Sequence, residues 1–474
     1  RPPPSTRSSP YTPVSRAPTP TPPPPPFNLT VAEHHLINPF LTYLTVETQH
    51  PSPKYWHAAR FLLDLCSKSF LVASVSEVVS GKPVVVCTAK GEEPELASVL
   101  VNSHTDVVPL GNFSLWSKNH PLMPEIVEEG GAGGELRIYA RGAQDMKSVG
   151  MMQLLALARI KKTPNKRLRR SVHLSFVPDE EIGGTDGMQA WLGTEDFKKL
   201  NVGFELDEGI PDEGEVLPLF YGERQPWWLR VVVRGRPGHG GTLPSKTAGM
   251  VLLEVVNRAM AFRGEEAAKL AAGEAAGMEL GDVVNVNLAF FDVGVPNGKL
   301  PGGYQINVLA DSAAAGFDIR VPPSVEENAR VDAVIRGWVA GLDDAEAGIT
   351  GLDDAEAGIS VSFEFLERTD IPVKSEVDSE KSPWMAALAR GAEKAGVGLV
   401  PRVFPFSTDA SFFREIGVES LGVSPISRTK NLLHQYDEYI PVKEFLRGVD
   451  FYEKVITELG NVPPGTHDEQ KDEL

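Results

Sequence analysis

Short apolar runs that stop at ionisable residues constrain this chain most. The stretch 96–102 leads into Ser103-His104-Thr105-Asp106, 172–177 into Pro178-Asp179-Glu180-Glu181, and 203–206 into Asp207-Glu208. Runs this short, with 83–88 and 420–423 beside them and a helix-like stretch over 147–160, predict an α/β fold. Its sheet is expected to be mostly parallel and flanked by helices, because helical crossovers join parallel strands. In such sheets ligands bind outside the carboxyl ends of the strands. His104, Asp106, Glu180, Glu181 and Asp207 are all placed at such ends.

Between about 226 and 366 the pattern changes. Strands are expected at 228–234, 283–291, 313–321 and 360–365, and helices at 247–262 and 326–340. That β-α-β-β-α-β order predicts a ferredoxin-like α+β domain. It would be inserted into a larger domain formed by 28–225 and 367–464. Residues 1–27 are rich in Pro, Ser and Thr and read as an arm without a core. The stretch 465–474 ends in Lys471-Asp472-Glu473-Leu474, an ER-retention signal. It leads us to expect residence in the endoplasmic reticulum lumen and recognition by the KDEL receptor. The sequons at Asn28 and Asn112 fit that compartment. The nonapeptide at 341–349 recurs at 351–359 and reads as a duplication within a surface loop.

Charge narrows the function. With 46 Lys+Arg against 64 Asp+Glu, the net charge is −18, which argues against nucleic acid and anionic lipid as partners. No apolar run reaches the length of about 18 residues that reads as a transmembrane helix. Two cysteines, Cys66 and Cys87, cannot build a disulfide framework. They read as structural residues, one on a helix face and one on a strand.

The remaining signals are chemical. Ala140-Arg141-Gly142-Ala143-Gln144-Asp145-Met146-Lys147 opens a helix, with Asp145 where an N-cap is expected; the same carboxylate could instead bridge two metal ions. Leu432-Leu433-His434 lies far downstream. His104, Asp145, Glu181, Asp207 and His434 together offer two imidazoles and three carboxylates, a donor set that suits zinc, with manganese or cobalt possible. The adjacent pair Glu180-Glu181 suits hydrolysis, one carboxylate holding metal and the other taking a proton from water.

In this order, these elements resemble the aminoacylase-1 branch of the dinuclear zinc peptidase and deacylase family. The matching stretches are Ser103-His104-Thr105-Asp106-Val107-Val108-Pro109, 140–148, 176–184, 206–210, Trp227-Trp228, Arg236-Pro237-Gly238-His239, and 421–437 followed by 445–452. The resemblance implies two zinc ions bridged by Asp145. His104 and Asp207 would complete one site, and Glu181 and His434 the other. Asp106 would orient His104, and Glu180 would be the general base. It further implies a homodimer in which His239 of the inserted lid reaches the partner subunit's site, and a lid Asn and Arg, here Asn307 and Arg320, that contact substrate. For Arg320 a salt bridge with Asp318 is the competing role. The expected reaction is hydrolysis of N-acyl-L-amino acids, with a dipeptidase or carboxypeptidase of the same chemistry, or an inactive binding protein, as alternatives. One departure bears on substrate: after Thr408-Asp409 the family has Asn-Arg, and this chain has Ala410-Ser411. A substrate-contacting Arg is then missing unless Arg414 or Arg428 replaces it.

Overall fold

Strand alternation decides how the main sheet is covered. Along strand Lys82–Ala89, Val85 and Cys87 join one buried cluster while Val84 and Val86 join another. Strand Ser98–His104 does the same, with Val99 and Val101 on one side and Leu100 on the other. Successive side chains point to opposite faces, so apolar residues at every position require cover on both faces. In the computed structural model this sheet has eight strands, ordered Val72–Val79, Lys82–Ala89, Val172–Val177, Ser98–His104, Val202–Asp207, Glu419–Gly422, Leu217–Glu223 and Leu399–Phe404. The four from Val172–Val177 to Glu419–Gly422 run parallel, and antiparallel strands flank them. The architecture is α/β, as expected.

The described residues are 27, 29–118, 120–131, 133–300, 302–340, 342, 359–369, 372–465 and 468. The Pro-rich stretch 1–26, Asn28, most of the 341–359 duplication and the tetrapeptide 471–474 lie outside them. The described residues divide into two compact units: one holds those up to Tyr221, Ser375–Arg402 and those from Thr408 onward, and the other holds those within Gly222–Lys374 and Val403–Ser407.

The larger unit carries the parallel strands. Its helix Lys147–Lys162 is buried along nearly its whole length, and Gly150 explains how it lies so close to the sheet. A Cβ at this position would meet Ser103 Oγ at 2.3 Å, so only glycine lets the helix approach the strand that ends in His104. A small sheet of Glu125–Glu129, Glu135–Tyr139 and Tyr439–Pro441 brings the segment after His434 beside the loop before that helix.

The structure adds a bond to the reading of the two cysteines as structural residues. Cys66 of helix Tyr55–Lys68 and Cys87 of strand Lys82–Ala89 form a disulfide across 21 residues. Two cysteines give no framework, but one bridge between a helix and the strand beneath it needs only the right register.

In the smaller unit, strand Gln225–Arg234 buries Trp227, Leu229, Val231 and Val233 and turns Trp228, Arg230 and Arg234 outward. One face is therefore covered, and the cover includes residues of helices Ala248–Gly273 and Val325–Gly337. The sheet order is Asn285–Val293, Ser312–Val321, Gln225–Arg234, Ser360–Arg368, all antiparallel, within a β-α-β-β-α-β sequence.

Candidate metal centre

Three adjacent parallel strands deliver the site. His104 is the last residue of Ser98–His104, Glu180 and Glu181 follow Val172–Val177, and Glu208 follows Val202–Asp207. Asp179, in the left-handed region at φ 66°, turns the chain between the strand and the two glutamates. Tyr55 and Lys82 both hold the Asp179 carboxylate.

Asp145 lies at the centre. Its Oδ1 is 3.0 Å from His104 Nε2, and its Oδ2 is 3.1 Å from His434 Nε2. The N-cap of the following helix is Met146, which makes no side-chain cap bond, so the expected capping role does not apply. The loop is instead fixed by Glu438, fully buried, whose carboxylate accepts from the backbone N–H groups of Gly142, Gln144 and Asp145 and from Arg141 Nη1. Arg141 Nη2 also donates to the His434 carbonyl.

Among the described residues, two groups of possible ligands result, each with its donor atoms within 4.8 Å of one another: His104, Asp145 and Glu208, and Asp145, Glu181 and His434. Glu181 Oε2 is 3.1 Å from His434 Nε2, and Glu208 Oε1 is 3.8 Å from His104 Nε2. Asp207, the expected ligand, is not in either group. Strand period two puts Glu205 and Asp207 on one face, where Asp207 accepts from Asn102 and Glu205 from Ser420. Glu208, the first residue beyond the strand, leaves that alternation and turns to His104. Glu180 stands beside this group, its Oε2 3.9 Å from His104 Nε2.

The electrostatics describe a site short of positive charge. Burial pushes Glu180 and Glu208 well above the usual carboxylate range, and neighbouring carboxylates add to it against the opposing pull of His104. Glu181 is raised by burial and by Asp145. The carboxylates of Asp145 and Glu181 raise His434 to about 10. Burial works against charge on His104, yet its bonds to Asp106 and Asp145 hold the ring well above its ordinary value. The donor set, N and O atoms in two groups that share one carboxylate, fits two divalent cations, and cations would invert this titration behaviour.

Asp106 behaves as a buried anion. Burial works against it, but the neighbouring His104 ring and the bond to His50 lower it to about 2. His50 and Glu438 were missed from the sequence, because nothing local distinguishes them from other charged or ring residues; Arg141 stands in the 140–147 stretch, but nothing there shows that it pairs with Glu438.

His239, Asn307 and Arg320 belong to the other unit. Short strands Gly238–His239 and Val308–Leu309 pair antiparallel, and Gly240 N donates to the Asn307 carbonyl, so His239 and Asn307 are neighbours there. Both are exposed. Arg320 binds Asp318 through Nε at 2.8 Å and Nη2 at 3.3 Å, the competing pairing considered for it. Arg414 is buried and donates to the Ser420 carbonyl, and Arg428 pairs with Glu215.

Comparison with known proteins places the chain in a family. The peptidase family M20/M25/M40 matches over residues 100–458. Aminoacylase-1A of Rattus norvegicus is 37% identical over 432 residues, covering 91% of this chain and 97% of its own. Aminoacylase-1 of Homo sapiens is 37% identical over 431 residues, with coverage of 91% and 97%. Among solved structures, the YXEP protein of Bacillus subtilis, a dinuclear metal binding peptidase from the M20 family, superposes with a TM-score of 0.61 at 13% identity, covering 90% of this chain and 97% of that one. This chain belongs to the peptidase family M20/M25/M40 and is a metallohydrolase acting on amide bonds.

Proposed function

We propose that the chain hydrolyses N-acyl-L-amino acids to a carboxylate and a free L-amino acid, with two zinc ions. The observation that carries this reading is Asp145, whose two oxygens face His104 and His434 from opposite sides. His104, Asp145 and Glu208 would hold one ion, and Asp145, Glu181 and His434 the other. Bound there, the ions supply Lewis acidity to the acyl carbonyl and lower the pKa of water. Glu180, at the rim of the first group, accepts the proton that water loses as it attacks the acyl carbon. It then passes that proton to the nitrogen of the departing amino acid. Asp106 keeps the His104 ring in place.

The substrate class is supported by the aminoacylase-1 relatives. Arg320 and Asn307 are the proposed contacts for the substrate's α-carboxylate, Arg320 through Nη1, which faces Ser407 while Nε and Nη2 hold Asp318. A homodimer is proposed in which the partner subunit's His239 steadies the oxyanion. Supporting it, strand Asn285–Val293 lies at the edge of its sheet and exposes Leu288, Phe290 and Phe291. Residence in the endoplasmic reticulum lumen, with the KDEL receptor as partner, is also proposed. The Cys66–Cys87 disulfide supports an oxidising compartment.

Metal content and turnover of variants test the assignment, with N-acetyl-L-amino acids and dipeptides as substrates. Glu180→Gln is expected to keep both ions and to lose kcat by at least about 10²–10⁴. Glu208→Gln is expected to lose an ion, and Asp207→Asn to keep both. Loss of metal from Asp207→Asn with full retention by Glu208→Gln would return the ligand role to Asp207. Faster turnover of dipeptides than of acyl-amino acids would make the enzyme a dipeptidase.

A further inference from the structure

The stretch 48–50 runs beside the loop that follows His104. Val107 N donates to the Thr48 carbonyl at 3.1 Å, His50 N donates to the Val107 carbonyl at 3.0 Å, and Gln49 bridges Val107 in parallel. This pairing carries the His50 ring, 9% exposed, to the fully buried Asp106. His50 Nε2 lies 2.9 Å from Asp106 Oδ2. An ionised carboxylate only accepts, so the ring nitrogen is the donor.

Asp106 connects the two ligand groups. The oxygen that accepts from His50 also accepts from the Glu181 backbone N–H at 3.1 Å. The other oxygen lies 3.6 Å from His104 Nδ1, and that nitrogen donates to the Asp106 carbonyl at 3.0 Å. A carboxylate with one donor on Oδ2 could still swing about its last bond. With His50 and Glu181 both on Oδ2, the plane of the carboxylate is set, and with it the face shown to the His104 ring. Partners of this kind fix the ring orientation of a metal-binding histidine.

We propose that His50 is a positioning residue of the metal centre: its ring N–H locks the Asp106 carboxylate in the orientation that holds His104, and so sets affinity for the ion at His104, Asp145 and Glu208. The inference rests on the reading above that this group binds a divalent ion. His50 acts through Asp106, to which its ring is bonded.

The test is zinc affinity of the full chain, measured by competition with a chromogenic chelator, with the thermal midpoint of the metal-free protein recorded alongside. His50→Leu, which removes the donor, is expected to weaken one of two zinc sites by about 10–100-fold, the usual cost of losing an outer partner of a ligand. His50→Gln, whose amide keeps an N–H at similar reach, is expected to bind zinc as the parent does. A merely structural role would lower the metal-free midpoint of His50→Leu and leave both affinities unchanged, and that result overturns the proposal. Equal weakening in His50→Gln and His50→Leu overturns it as well. If His50→Leu does not fold, His50→Asn, whose shorter stem falls short of Asp106, is read in its place, and unchanged affinity there overturns the role. A parent chain that binds no zinc overturns the metal-centre reading and this role with it. A parent with two sites, both unaltered in the variants, overturns this role alone.

Discussion

His173 is the residue whose chemistry is easiest to separate from the metal centre. It lies on strand Val172–Val177, with Nδ1 2.8 Å from Thr88 Oγ1. Burial lowers its pKa from 6.5 to about 4. The folded protein thus resists protonating it while the unfolded chain does not. Its contribution to stability is present above pH 6.5 and is lost as pH falls toward 4. A shift of this size corresponds to about 3 kcal/mol. His173→Gln is expected to flatten the fall in denaturant midpoint between pH 6.5 and 4 relative to the parent, and parallel curves would show that burial does not depress His173. At this scale the sequence carried most of the candidate site. His104, Asp145, Glu181 and His434 are recognisable because each stands in a stretch of family-like residues, and the structure gathers all four. The choice between Asp207 and Glu208 was not legible, because it turns on where the strand's alternation ends, a matter of one residue. Asp318 likewise stood beside Arg320 in the sequence, yet only the geometry shows that it takes up two of the guanidinium's N–H groups.

Elements place those residues by backbone contacts that sequence patterns do not record. Strand positions were readable from apolar runs, and 172–177 coincides with the observed strand. The strand expected over 96–102 is Ser98–His104 instead, so His104 is inside the sheet rather than past it. The helix expected over 247–262 continues to Gly273, since 263–273 holds four alanines and two glutamates and favours helix without adding an apolar stripe. The disulfide was hidden for a related reason. Its formation depends on how helix Tyr55–Lys68 sits on strand Lys82–Ala89, and both sulfurs are fully buried. A loop of 21 residues closed by a disulfide should stabilise by about 3 kcal/mol through restriction of the unfolded chain. Cys66→Ala/Cys87→Ala is expected to lose that amount in denaturant unfolding. A loss near zero would mean that the helix holds its place through the packing of its buried face, Tyr55, Ala58, Ala59, Leu62 and Leu63.

For the whole molecule, the sequence order alone separates the two units, because a β-α-β-β-α-β segment interrupts a parallel sheet pattern. The observed smaller unit begins at Gly222 and also takes in Val403–Ser407, a return excursion of five residues too short to read. The proposed dimer belongs to this scale. His239→Ala and Glu180→Gln are each expected to be inactive, and mixing them under conditions of subunit exchange should restore part of the activity by forming a heterodimer with one complete site. An active enzyme that stays monomeric at assay concentration would remove His239 from the partner's site.

Titration of metal-free protein with zinc, following release of free amino acid from an N-acetyl-L-amino acid, tests the central claim most directly. The shared Asp145 and the two ligand groups predict that activity is absent without metal and reaches its plateau at two equivalents per chain. A plateau at one equivalent, or release of amino acid from the metal-free chain, would contradict the account.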